Sequence, residues 1–81
     1  MKFATVKFDV NEGQLEEVVD LLDVELEIPY KEEFDEFQNC FVITANLENY
    51  EDVHRIYDLV ISDLFPSMDF DEYIEAFVEG L

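Results

Sequence analysis

A small α+β domain is the fold class this sequence predicts, and three observations predict it. Apolar residues recur every second position at 2–10 and every third or fourth at 14–23, and both periods return later in the chain. Leu, Ile, Val and Phe make up 30 of the 81 residues, well above the ~20% below which folding becomes doubtful. Two glycines and two prolines leave no linker, so residues 1–81 read as a single domain.

Ala4, Val6, Phe8 and Val10 fall on one face of the first run, and Thr5, Lys7 and Asp9 on the other, which predicts a half-buried strand. Phe3 breaks the pattern on the polar side. Asn11-Glu12-Gly13 is a turn. Leu15, Val18, Val19 and Leu22 then sit at i, i+3, i+4 and i+7, one face of a helix, with Leu21 directed roughly outward.

Residues 24–28, Val-Glu-Leu-Glu-Ile, alternate again and predict a second strand that Pro29 ends. Residues 29–38 carry turn chemistry. Phe41, Ile43 and Ala45, with Val42 and Thr44 between them, predict a central strand covered on both faces.

Asn49 is an N-cap for the next helix, with Glu51 and Asp52 in its first turn. Val53, Ile56, Tyr57, Val60, Ile61 and Leu64 form the clearest apolar stripe in the chain, and Glu51 and Arg55 are spaced for an i, i+4 pair. Pro66 stops this helix. Residues 67–81 fit either a helix, capped by Ser67 or Asp69 and closed by Gly80, or a strand alternating through Ile74, Ala76 and Val78; caps and stripe together favour the helix.

The order is β-α-β-β-α followed by α or β. A β-α-β unit crosses over right-handedly, and the third strand inserts between the first two. The sheet has three or four strands with helices on one face; with a strand at the end, it is ferredoxin-like.

Acids dominate the charge: Asp and Glu number 22, Lys and Arg 4, for a net charge of −18. Such a surface repels phosphate, so neither nucleic acid nor an anionic membrane is the expected direct partner. No 18-residue apolar run predicts a membrane span, and residues 1–7 lack the apolar stretch of a secretory signal. A single cysteine, Cys40, fits the reducing cytoplasm.

The residues offer little to an enzyme. Cys40 and His54 are the only nucleophile and base of the usual kind, and both read as ordinary half-buried or boundary residues. The densest acidic groups, Asp69-x-Asp71-Glu72 and Glu32-Glu33-x-Asp35-Glu36, lack the EF-hand series of alternating acids, central glycine and terminal glutamate. The expectation is a non-enzymatic protein without metal or other cofactor.

The acids themselves are the remaining signal. A folded chain of this mass exposes roughly 5,000 Å², so its net charge is about one per ~280 Å². B-DNA, taken as a rod of about 10 Å radius, carries about one per ~110 Å². Concentrating the acids on half of the surface nearly closes that gap. Eight acids and no base lie between Lys7 and Lys31, and seven acids and no base follow Arg55.

Small size, extreme acidity, one cysteine and a plain α/β build resemble the DNA-mimic inhibitors encoded by bacteriophages, including anti-CRISPR and anti-restriction proteins. The resemblance is compositional and spans the chain. It implies a cytoplasmic inhibitor, monomeric or homodimeric, that occupies the nucleic-acid channel of a basic protein or nuclease complex. Two alternatives share the composition: an immunity protein or antitoxin that neutralises a basic nuclease, and a halophilic adaptor domain.

For such a partner, residues 30–37 are the first candidate contact, expected to project as a loop or hairpin end between strands. Glu32, Glu33, Asp35 and Glu36 would steer and pair with Arg and Lys, while Tyr30, Phe34 and Phe37 would anchor. The second candidate is an acidic helical stripe of Asp71, Glu72, Glu75 and Glu79.

Overall fold

The computed structural model describes residues 3–81. Its elements are β1 (Ala4–Val10), α1 (Glu12–Asp20), β2 (Tyr30–Asp35), β3 (Cys40–Leu47), α2 (Tyr50–Ile56), α3 (Ser62–Leu64), α4 (Phe70–Phe77) and β4 (Val78–Glu79). A π turn, Leu21–Glu25, prolongs α1, and a second, Tyr57–Ile61, joins α2 to α3 in one continuous rod. The sheet order is β2-β3-β1-β4, with every neighbouring pair antiparallel. That order is the ferredoxin-like arrangement, with β3 inserted between the two strands that α1 connects.

One face of the sheet is the core. Val6, Phe8 and Val10 of β1 and Ile43, Ala45 and Leu47 of β3 are buried against Val18, Leu22, Val53, Ile56, Val60, Ile61 and Tyr73 from the helical layer. The α2 stripe therefore packs as its spacing predicts. The other face is open to solvent: Lys7 and Asp9 are exposed, and Val42 and Thr44 are only half-buried. The expectation that β3 is covered on both faces is corrected here, because all helices lie on one side.

Side chains set the helix starts. Asn11 Oδ1 accepts the Gln14 N–H at 2.9 Å, and Gln14 Oε1 accepts the Asn11 N–H at 3.2 Å, closing a capping box. Asn49 and Asp69 cap α2 and α4 through the N–H groups of Asp52 and Glu72, at 3.1 and 2.8 Å. Residues 67–81 combine both readings of their pattern. The helix ends at Phe77, and Val78 pairs with Val6 as a short edge strand.

Residues 24–28 are not a strand. Leu26 and Ile28 are buried as alternation implies, but the backbone reaches them by closing the π turn. Leu26 N–H bonds Leu21 O at 2.8 Å and Ile28 N–H bonds Leu22 O at 2.9 Å, with Glu27 at φ 53° between them. This is a Schellman-like cap widened by one residue. Leu21, read as directed roughly outward, is half-buried and also packs against the core.

The second strand is instead Tyr30–Asp35, so the segment expected to be a loop or hairpin end is the outer strand and tip of a hairpin with β3. Polar on both sides, it lacks the alternation that marks a half-buried strand. The true loop is the turn at 36–39, closed by Asp35 Oδ1, which accepts the N–H groups of Phe37 and Gln38 at 3.0 and 3.3 Å.

Candidate partner-binding surface

The β2–β3 register sorts the first candidate segment into two faces. Tyr30, Glu32 and Phe34 lie opposite Ala45, Ile43 and Phe41, on the helix side of the sheet. Lys31, Glu33 and Asp35 lie opposite Thr44, Val42 and Cys40, on the open side. The four acids are therefore not one cluster, because successive strand residues point to opposite faces.

Several of them are already engaged. Lys31 Nζ contacts Glu33 Oε1 at 2.9 Å, and this bond holds the Glu33 carboxyl below its ordinary range. Asp35 is half-buried and spends its carboxylate on the turn. Glu32 and Glu36 remain exposed. Tyr30 is half-buried, Phe34 packs edge-on against Phe41 with centroids 5.1 Å apart, and Phe37 at the turn is fully exposed.

Tyr30 reveals what the sequence reading left out. Burial raises its phenol above the ordinary range, and the charges of Asp23, Glu32 and Asp20 raise it further, in that order. The outer face of α1 and its π turn therefore adjoins the start of β2. A shallow cleft between them is lined by Asp23, Glu27, Ile28, Pro29 and Tyr30. A second concavity, at the far end of β2, is lined on the open face by Lys7, Glu33, Asp35, Glu36, Phe37 and Val42 among others. Asp20, Asp23 and Glu27 were legible as a row at i, i+3 and i+7, but only to a reader who continued α1 past residue 23 rather than ending it at a strand.

The second candidate divides. Asp71, Glu72 and Glu75 are exposed on α4, but Glu79 lies in β4 opposite Thr5, beyond the end of the helix. The expected four-residue helical stripe is corrected by that break. β4 and β2 are opposite edges of the sheet, so the two candidate regions do not form one surface.

Comparison with protein-family models, with curated proteins and with solved structures finds no match.

The remaining chemistry is sparse. Cys40 lies on the open face, where burial, then the charges of Asp9 and Asp35, push its thiol up. His54 is on the helical side, stacked on Phe70 with centroids 4.5 Å apart. The two do not face each other. Among the described residues, no group of three or more His, Cys, Asp or Glu is placed to hold a metal ion. Among the described residues, no helix is long and apolar enough to cross a membrane.

The acids are nonetheless available. Of the 22 carboxylates, 20 belong to exposed residues, Asp35 is half-buried and Asp52 is buried. Among the described residues there are two ion pairs, Lys31–Glu33 and Arg55–Asp52. The open face carries Lys7 and Lys31 against Asp9, Glu33, Asp35 and Glu79. The exposed side of α1 carries Glu12, Glu16, Glu17 and Asp20 with no base.

Proposed function

We propose that this chain is a non-enzymatic inhibitor that binds a basic nucleic-acid-processing protein, with its carboxylates occupying the positions that phosphates take in the partner's channel. The observation that carries this reading is the exposure of 20 carboxylates with only two ion pairs among the described residues. A protein that used its acids structurally would pair or bury them. Here they remain in water, free to meet a cationic surface.

Their placement supports the same reading. The accessible surface is 5269 Å², and two lysines sit together on the open sheet face while α1 presents acids alone. Charge is thus denser than average on the helical side. Along α1, an i, i+4 step places Glu12, Glu16 and Asp20 at ~6 Å intervals, a regular row of anions. Complementary charge of this kind raises the association rate and fixes orientation. We place the protein in the cytoplasm, with a host-defence nuclease complex as the partner and phage defence evasion as the setting.

The test is displacement of labelled duplex DNA from purified RNA-guided and restriction nucleases. At low salt, the chain should release DNA at near-stoichiometric amounts. A contact replacing six to ten phosphates should lose about 10³–10⁵ in affinity between ~50 and ~200 mM salt. Failure to displace DNA from any of these enzymes at low salt contradicts the reading. Inhibition of cleavage with the DNA still bound points instead to the immunity-protein type.

A further inference from the structure

The longer free edge of the sheet is built to take another strand. β2 pairs only with β3, and β2 is an outer strand. The Asn46 N–H donates to Pro29 O at 2.9 Å, which extends the β2–β3 register by one pair and fixes its phase. Hydrogen-bonded pairs alternate along an antiparallel ladder. Residues 31, 33 and 35 therefore direct their backbone groups at β3. The N–H and C=O groups of Tyr30, Glu32 and Phe34 point out of the sheet, with no strand beyond them among the described residues.

Unprotected edges invite pairing, and proteins usually shorten, bulge, charge or cover them; β2 carries Lys31, Glu32, Glu33 and Asp35, whose net acidity disfavours an acidic strand and admits a basic one. The opposite edge follows that rule, since β4 is two residues long. β2 is six residues long, and its register runs unbroken from Tyr30 to Asp35. Hollows with acids lie at both of its ends: Asp23 and Glu27 on the helix side beside Tyr30, and Glu36 on the open side beside Phe37, where Lys7 also lines the wall, Glu33 is held by Lys31 and Asp35 closes the turn.

We propose that β2 recognises an extended basic segment of the partner by strand addition, the backbone of Tyr30, Glu32 and Phe34 pairing with it while its Lys or Arg side chains enter the two acidic hollows. This rests on the proposed function and specifies its contact. Strand addition takes affinity from backbone bonds and specificity from pockets for alternate side chains. Successive side chains of a strand point to opposite faces, so basic residues of opposite parity near its two ends face one hollow each. A segment of about seven residues covers β2 and reaches both hollows.

Charge selects this occupant over a second copy. Pairing β2 with itself about Glu32 satisfies the same backbone groups and sets Lys31 against Glu33 of the other copy. It also sets Glu32 against Glu32 and brings together two bodies of −18. A basic strand meets attraction at Glu32 and from the net charge, and only Lys31 opposes it.

The test uses the full chain and a synthetic Val-rich peptide of about eight residues with one Lys near each end, the two placed on opposite faces of the strand, at ~50 mM salt. A second peptide is N-methylated at alternate residues, so that charge is kept and one set of backbone donors is lost. The plain peptide should slow amide exchange at Tyr30, Glu32 and Phe34, and N-methylation should cost about tenfold or more in affinity. In the protein, Glu32→Pro removes a donor that β3 does not use and should match that loss. Glu32→Gln, equal in charge change, should cost only a few-fold, with melting curves confirming that both variants fold.

Equal binding of the two peptides, with no new protection on β2, overturns strand addition and leaves the electrostatic reading standing. Binding of neither peptide overturns both. Protection of β2 that rises with protein concentration alone means that a second copy holds the edge, and it overturns the proposal.

Discussion

The Arg55 guanidinium binds Asp52 one turn back, Nη1 to Oδ1 at 3.1 Å, and its Nη2 reaches the Leu26 carbonyl at 3.4 Å. Arg55 thereby ties α2 to the end of the crossover, just where Glu27 turns left-handed. The sequence spacing points to Glu51 as its partner, but Glu51 faces solvent and Asp52 is the buried acid. Asp52 also accepts the Glu48 N–H at 3.4 Å, so removing Arg55 leaves a nearly buried carboxylate with little else to neutralise it.

Arg55→Met keeps the stem and removes the charge. It should cost about 1–2 kcal/mol, between the value of an exposed pair and that of a buried charged hydrogen bond. Chemical denaturation measures it. A loss indistinguishable from zero means that Asp52 is satisfied without Arg55.

Glu27→Gly should stabilise the protein. Glu27 holds φ 53°, a conformation that costs a side-chain-bearing residue about 1–2 kcal/mol, while glycine adopts it freely. After the added chain entropy of glycine, about 0.5–1 kcal/mol should remain, or roughly 2–8 °C in Tm. Asn39, at the same φ of 53°, is a residue type that tolerates the conformation, so Asn39→Gly should change Tm far less.

Glu17 on α1 and Asp63 on α3 bring two carboxyls together. A hydrogen bond to Asp63, then Asp63's charge, then slight burial raise Glu17 above its ordinary value of 4.5. The folded state therefore holds this proton more tightly than the unfolded state does. The resulting stability is fully present below about pH 4.5 and is lost as pH rises through the raised value. Glu33, held low by Lys31, runs the other way and loses its contribution as pH falls. Glu17→Gln should raise Tm at pH 7, and its advantage should vanish as the pH falls below the ordinary value. A constant difference across pH means that Asp63 does not raise Glu17.

Net self-repulsion predicts a salt response. Moving from ~10 to ~150 mM salt shortens the screening length from ~30 to ~8 Å. With a net charge of −18, Tm should rise by several degrees over that range. A flat Tm means that the exposed acids are too far apart to strain the fold.

The parts of the fold that were legible in the sequence are those where burial enforces a period. β1 alternates because one face is core and the other solvent, and the rod of α2 and its π turn carries a stripe because Val53, Ile56, Val60 and Ile61 all pack inward. Residues 24–28 misled because Leu26 and Ile28 are indeed buried two residues apart, yet a π turn and a left-handed Glu27 produce that spacing without a strand. Residues 30–35 misled for the converse reason: an edge strand with acids on both faces has no apolar period to read. The candidate site followed the same division. Tyr30 and Glu32 were identifiable as residues, but their adjacency to Asp20 and Asp23 depends on where α1 ends, and the free edge depends on strand order.

The most direct test of the central claim compares two variants with equal charge loss. One neutralises Asp20, Asp23, Glu27 and Glu32 around the start of β2, and the other neutralises Asp71, Glu72, Glu75 and Glu79 near the opposite edge, each with Asn or Gln. Both lose four charges, so the general field changes equally. Displacement of DNA from the inhibited nuclease should weaken well over tenfold with the first set, more than ~1.4 kcal/mol, and only a few-fold with the second. Equal losses from the two sets contradict a localised acidic contact at β2 and leave only a diffuse field.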